Sequence, residues 1–321
     1  MILENIFACP SCQGKLENSY QKFVCSQCSL EYPVAGEVPV FLTGEVSSDS
    51  MNEYWDQGWG NRFNETDHSF LKNESARDLK ERIKNEVNSF ISNEEHPMLE
   101  VLPINDKVLL NVGCGLKEAL HFTLLGAQNY IGVDYSYNAS RYSLENIKKL
   151  DGTGITAQAN AEKLPIGNET IDIAYSYGVL HHTPETQVTL DEIFRVLKPN
   201  GKGIIGLYNT WSPKFISAHI IGTIKSFFVK SHTDWYQETE GAWRTDETLH
   251  PWTKSYSLRE LRSLFSKYST HKISFRRTGF DWANAIPKIG QHIGKTKIGK
   301  FLVKKLQPWM GSMWIITFHK K

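Results

Sequence analysis

The sequence predicts an α/β fold: a parallel sheet covered by helices on both faces, preceded by a small cysteine-rich module. Three observations carry this. The apolar run Val108-Leu109-Leu110, with Val112, ends in Gly113-Cys114-Gly115 and passes into helical spacing from Leu116 to Leu125. Strand-like and helix-like segments then alternate as far as Tyr208, the pattern of βα units feeding a parallel sheet. Ahead of both, four of the five cysteines fall between residues 7 and 42 as two Cys-x-x-Cys pairs.

Those pairs are Cys9/Cys12 and Cys25/Cys28, with twelve residues between them. Each two-residue gap lets both sulfurs face one ion, so the set suits tetrahedral zinc. Disulfide pairing is the alternative. The opening Met1-Ile2-Leu3-Glu4-Asn5 does not read as a signal peptide, so a reducing, cytoplasmic setting is expected, which favours the metal. Four thiolates leave no open coordination position, which makes the role structural, and so small a segment would draw much of its folding energy from the ion. The module spans residues 1–45. A linker and helix fill residues 46–100, and the sheet domain takes 101–321. Within the middle stretch stand the polar run Thr43 to Ser50 and the aromatic cluster Tyr54-Trp55-Asp56-Gln57-Gly58-Trp59. Leu79, Ile83, Val87 and Phe90 then form an apolar stripe that predicts an amphipathic helix over Ser75 to Ile91.

A run as apolar as Val108 to Val112 suits a strand buried on both faces. The glycine turn after it brings backbone N–H groups close to a ligand at the start of the next helix. Ile131 to Val133 reads as a second strand ending on Asp134, about twenty residues on, where a carboxylate can accept from both hydroxyls of a ribose. An adenosine-containing ligand at the carboxyl edge of the sheet is implied. A dinucleotide fingerprint would place its third glycine where Glu118 stands, and this turn carries no Gly-Lys-Ser/Thr of a phosphate loop.

The later elements follow in order. Asn138 to Leu150 reads as a helix with Lys148 and Lys149 at its C-terminus, where cations suit the dipole. Ile155 to Gln158 and Ile171 to Ser176 are strands, Pro184 to Leu197 a helix stopped by Pro199, and Gly203 to Tyr208 a fifth strand. An insertion from Asn209 to Tyr256 contains a candidate helix, Ile216 to Val229, then Trp235, Tyr236, Trp243, Arg244, His250 and Trp252. Loops at this edge of an α/β sheet line the ligand crevice, so the insertion is read as a substrate lid, with a packing flap or dimer contact as the alternative. Ser257 and Glu260 form a capping box ahead of Leu258, Leu261, Leu264 and Phe265. His271 to Arg276 and Met313 to Phe318 are the last two strands. Between them, Ile286 to Leu306 mixes Ile289, Ile293, Ile298, Phe301 and Leu302 with six lysines, a basic amphipathic segment suited to anionic lipid or RNA, or a solvated face.

Asn160-Ala161-Glu162-Lys163-Leu164-Pro165, Ile171-Asp172-Ile173-Ala174-Tyr175-Ser176, Val179-Leu180-His181-His182 and Leu197-Lys198-Pro199-Asn200-Gly201 appear in order after the glycine turn. Together with that turn, the series resembles the class I S-adenosylmethionine (SAM)-dependent methyltransferases, in the branch that includes quinone-biosynthesis and natural-product enzymes, over residues 105–210. The resemblance implies a seven-stranded Rossmann-like sheet with SAM as cofactor. Gly113, Cys114 and Gly115 would pass under the methionine part of SAM. Asp134, followed by Tyr135, would hold the ribose, and Asn160, Ala161 and Glu162 would border the adenine. Ser176 to Gly178 would close over the sulfonium. Three positions depart from the family: Asn111 stands for the usual Asp or Glu, Lys117 for Gly, and Asn160 for Asp. Asn111 keeps hydrogen-bonding capacity without the charge that favours an ammonium or sulfonium. Lys117 is expected to meet the methionine carboxylate. The cysteine module resembles the short zinc ribbon found ahead of some bacterial methyltransferases, relatives of which also act as separate activator subunits.

Methyl transfer from SAM is an in-line displacement, so the protein mainly aligns the reactants and excludes water. A hydroxyl acceptor also needs a base, and His181, His182 and His250 are the candidates, with a structural role as the alternative for each. A formal charge of +1 gives no global pull toward nucleic acid. The expected activity is methylation of a small-molecule acceptor. The alternatives are an RNA methyltransferase gripping through the ribbon and the lysine-rich segment, and a non-catalytic SAM-binding or protein-interaction module.

Overall fold

The structure is a computed structural model that describes residues 6–19, 21–42, 54–58, 71, 73–93, 96–115, 117–226, 253–279, 293 and 296–321. Much of the expected lid, including Trp235, Tyr236, Trp243, Arg244, His250 and Trp252, lies outside these residues, as do Trp59, Lys288 and Ile289. The chain divides into two compact units, Met1–Tyr177 with Gln187–Ile204 and His319–Lys321, and Gly178–Thr186 with Ile205–Phe318.

The strands β1 (Leu16–Ser19), β2 (Lys22–Cys25), β3 (Glu31–Ala35) and β4 (Val38–Pro39) form an antiparallel four-stranded sheet in that order. Helix α1 (Ala76–Asn93) follows, burying Leu79, Ile83 and Val87 as its apolar stripe predicts. Next come β5 (Val108–Val112), α2 (Glu118–Leu124), β6 (Asn129–Asp134), α3 (Tyr137–Lys149), β7 (Gly154–Gln158), β8 (Ile171–Tyr177), α4 (Thr186–Val196) and β9 (Leu197–Tyr208). The chain continues through α5 (Pro213–Ser226), α6 (Leu258–Phe265), β10 (Thr270–Thr278), α7 (Lys297–Met310) and β11 (Met313–Lys320). The main sheet has seven strands in the order β10-β11-β9-β8-β5-β6-β7. Strand β5 pairs parallel with both β6 and β8, and all of its residues are buried, as expected for a strand covered on both faces. No described helix is long and apolar enough to cross a membrane.

One expected boundary is corrected. Helix α4 ends at Val196, and β9 begins at Leu197, so Pro199 does not stop the helix but lies within the strand. Pro199 and Asn200 are exposed, and Asn200 has φ +64, so the proline sits where the strand bends and needs no ladder hydrogen bond.

The cysteine module belongs to the first unit and covers the free edge of β7. Val40 forms a parallel bridge with Gln158, and the Phe41 N–H donates to the Gln158 carbonyl at 2.8 Å. A sheet edge covered in this way is protected from pairing with other chains. On the other side of the module, the Ala8 N–H donates to the Pro165 carbonyl at 3.1 Å. Phe7, Phe23, Phe41 and the fully buried Tyr32 pack as rings 5.1–5.9 Å apart. Arg195 of α4 ties these parts together. Its guanidinium donates to Glu192 at 2.7 Å, to the Leu164 and Ile166 carbonyls at 3.1 and 2.7 Å, and to Gln13 of the module at 2.9 Å.

Arg195→Ala would leave a half-buried carboxylate and two carbonyls without their donor. The expected loss is about 2 kcal/mol, discounted for partial exposure. Urea denaturation should show a lower midpoint with an unchanged slope, and an unchanged midpoint would contradict this role.

Candidate functional site

Strands β5, β6, β7 and β8 run parallel, so the residues after Val112, Asp134, Gln158 and Tyr177 gather at one edge of the sheet. The glycine turn is tied to β6 here. Gly113 and Cys114 donate their N–H groups to the Val133 carbonyl at 2.7 and 3.2 Å. Gly113 and Gly115 have φ +76 and +51, the left-handed region where a side chain is strained. The Gly115 N–H donates to Asp134 Oδ2 at 3.2 Å, and the Ser136 N–H donates to Oδ1 at 2.9 Å. Cys114 is fully buried, a small residue filling the turn.

Burial lifts the Asp134 carboxyl to about 6, against the lowering effect of its two backbone donors, and the nearby charges of Glu118 and Asp56 add to the rise. On β7's side, the Gln158 side-chain amide donates to the Tyr135 carbonyl at 3.0 Å, and the Ala159 N–H donates to the Asp134 carbonyl at 2.8 Å. Asn160 Oδ1 accepts the Glu162 N–H at 2.8 Å, shaping the turn that carries Ala161. Ser176 is buried and donates to the Val112 carbonyl at 2.8 Å. Thus Asn111, Gly113 to Gly115, Asp134, Tyr135, Asn160 to Glu162 and Ser176 come together within the first unit, while Gly178, with φ +78, falls in the second.

Two features of this edge escaped sequence reasoning. Asp56, inside the aromatic cluster, accepts from Ser136 Oγ at 2.7 Å and from the Asn138 N–H at 2.8 Å, so the residues 54–58 dock at the N-terminus of α3. A carboxylate suits that end of a helix. Lys117 Nζ contacts Glu86 of α1 at 2.9 Å, as does His121 Nε2. The His121 hydrogen bond, then Lys117, hold Glu86 down at about 2.

The four cysteines of the module converge. The Sγ atoms of Cys9, Cys12, Cys25 and Cys28 all lie within 4.8 Å of one another. Cys12 and Cys25 approach to 3.4 Å and Cys9 and Cys28 to 3.6 Å, far beyond a disulfide length of about 2.05 Å. Sulfurs bound to one zinc at about 2.3 Å stand slightly under 4 Å apart, so this donor set fits the ion.

In the second unit, His181 is fully buried, its ring 3.8 Å from that of Tyr208 and 4.2 Å from that of His182. Its carbonyl accepts the Lys254 N–H at 2.9 Å. His182 is buried, with Nδ1 3.4 Å from Thr253 Oγ1.

A family model described as a methyltransferase domain matches residues 110–205, the stretch that holds the glycine turn, Asp134 and the Asn160 turn. This segment is similar to methyltransferase domains. Parts of the chain are also similar to known enzymes. Cycloartenol-C-24-methyltransferase 1 of Oryza sativa subsp. japonica is 27% identical over 164 residues, which cover 47% of this chain and 44% of that protein. Ubiquinone biosynthesis O-methyltransferase of Pseudomonas putida is 28% identical over 182 residues, 50% of this chain and 75% of that protein. The chain thus spans less than half the length of the first of these relatives. Among solved structures, magnesium protoporphyrin IX methyltransferase from Synechocystis PCC 6803, with bound SAH, is similar at a TM-score of 0.47 and 10% identity, covering 84% of this chain and 98% of that one.

The raised Asp134 carboxyl gives a pH prediction. A ligand whose hydroxyls donate to this group favours its ionised form, so affinity falls as pH drops through about 6, by up to about tenfold per unit for one coupled proton. Titration of the full chain with an adenosine-containing ligand at pH 5 and pH 7.5 should show this fall, with a shallower slope in Asp134→Asn. A flat profile would contradict it.

Proposed function

We propose that this chain transfers a methyl group from SAM to a small-molecule acceptor. The observation that carries the reading is the tie between the Gly115 N–H and the buried Asp134 carboxylate within the matched methyltransferase domain. The arrangement presents a carboxylate to a ribose and a side-chain-free turn to the rest of the nucleoside. SAM supplies a methyl carbon already activated by positive sulfur, and the residues of the sheet edge hold and orient it. Gly113, Cys114 and Gly115 would underlie its methionine part, Asp134 and Tyr135 its ribose, Asn160, Ala161 and Glu162 its adenine, and Ser176 its sulfonium end. The names of the relatives, which include sterol and ubiquinone enzymes, support an apolar or aromatic metabolite as acceptor. The setting is the cytoplasm in this reading.

Zinc is the metal of the module, held by Cys9, Cys12, Cys25 and Cys28 in a structural role. The module covers the β7 edge and meets the Leu164–Ile166 stretch through Arg195, so the ion would steady the segment that carries Asn160 to Glu162.

Two measurements test this. Calorimetry on the full chain should detect SAM and S-adenosylhomocysteine, and a labelled-methyl assay with sterol and quinone-precursor acceptors should place label in an organic-soluble product. Absence of SAM binding would overturn the reading, SAM binding with no product would favour the non-catalytic module, and salt-sensitive labelling of RNA would favour the nucleic-acid alternative. Metal analysis should find one zinc per chain, and its removal by a chelator should lower the melting temperature by about 5 °C or more. An unchanged melting curve after complete metal removal would contradict the structural role.

A further inference from the structure

Helix α7 carries more apolar surface on its outer side than its packing uses. Its inner side has the buried Gly299 with half-buried Val303 and Leu306, and the helix packs against β10. Ile298, Phe301 and Trp309 stand on the outer side at intervals of three and eight residues, and are 73%, 60% and 72% exposed. The Arg277 guanidinium of β10 donates to the Pro308 carbonyl at 2.9 Å and so holds the turn that presents Trp309. Exposed apolar side chains scattered singly need no explanation, but three on one face of one helix do.

The charge around them has one sign. Lys297, Lys300, Lys304 and Lys305 are all exposed, and α7 holds no aspartate or glutamate. The Lys305 ammonium lies 5.9 Å from the centre of the Phe301 ring, so cation and ring share the face. Residues 270–321 hold eleven lysines and arginines against one acid, Asp281, whereas the whole chain has 36 against 35. Positive charge is thus gathered at this end of a nearly neutral chain, which draws it toward an anionic surface. Two copies of the face would set like charges together, which argues against self-pairing. Ile298 has nothing to offer a base or a phosphate, and the cations of the helix are all lysines, not the arginines that suit bidentate phosphate contacts in nucleic acid. An anionic bilayer satisfies both halves of the pattern. Rings and methyl groups enter the boundary below the headgroups, while lysine stems lie along apolar surface and their ammonium groups stay level with the phosphates.

We infer that α7 docks the chain on an anionic lipid surface, with Ile298, Phe301 and Trp309 entering the headgroup boundary and the four lysines facing the lipid phosphates. Such binding is peripheral and reversible. It does not require the methyl-transfer reading, although an apolar acceptor of the class proposed above dissolves in such a bilayer.

Co-sedimentation of the full chain with lipid vesicles tests this. The unaltered chain should bind vesicles of mixed phosphatidylcholine and phosphatidylglycerol at least about tenfold more tightly than vesicles of phosphatidylcholine alone, and less tightly as salt is raised. Lys300→Glu/Lys304→Glu and Ile298→Ser/Phe301→Ser should each weaken binding to the mixed vesicles by about tenfold or more, with an unchanged melting temperature. No binding to the mixed vesicles, or equal binding to both kinds, would overturn the inference without recourse to any variant. Full binding by Ile298→Ser/Phe301→Ser would overturn it by leaving a surface that acts through charge alone. Tighter binding to single-stranded RNA than to the mixed vesicles would overturn it in favour of nucleic acid. A dimer of the unaltered chain that Ile298→Ser/Phe301→Ser disperses would overturn it in favour of self-association.

Discussion

The carboxylate of Asp134 is the constraint on which the sheet edge depends. It accepts N–H groups from both sides, from Gly115 in the turn after β5 and from Ser136 at the start of α3. Two backbone donors fix its orientation and keep Gly115 in a left-handed conformation that a residue with a Cβ would reach only with strain. Desolvation works against the charge, and Glu118 and Asp56 add to the cost. A buried acid kept under such pressure is common where a protein awaits a ligand rather than where it only needs to be stable. Oδ1 of Asn111 on the adjoining strand, without a hydrogen-bond partner among the described residues, has the same character.

Around this edge the first unit is clamped from several directions, each through residues far apart in sequence. Asp56 caps α3 next to Asp134. Glu86 of α1 gathers Lys117 and His121 beside α2. The cysteine module lies along β7 and reaches α4 through Gln13 and Arg195. These contacts make the module part of the compact body that carries the glycine turn, rather than an appendage on a linker. A change in the sulfur cluster therefore has a short path, through Gln13, Arg195 and Leu164, to the turn at Asn160.

What the sequence made legible was local. The β5 run is apolar because both of its faces are covered, and period and composition report that directly. The Asp134 position follows from the strand length after the glycine turn, and the Cys-x-x-Cys spacing reports the sulfur cluster. The Ser257 capping box is local too, and forms as its spacing predicts. What stayed hidden depends on partners that periodicity cannot supply. Asp56 looked like one polar residue in an aromatic cluster, because Ser136 lies eighty residues away. The Lys117–Glu86 pair stayed hidden because Glu86 sits on a helix whose stripe shows only which face is inward. Pro199 read as a helix stop because the rule for proline does not distinguish the end of a helix from a bend just inside the next strand.

Hydrogen exchange of the full chain, with and without S-adenosylhomocysteine, tests most directly whether the Gly115–Asp134 tie is where the nucleoside sits. Slower exchange of the amides from Gly113 to Glu118 and from Asp134 to Asn138 is expected when the ligand is present. Saturating ligand that leaves both stretches unprotected, or that protects only amides of the second unit, would contradict it.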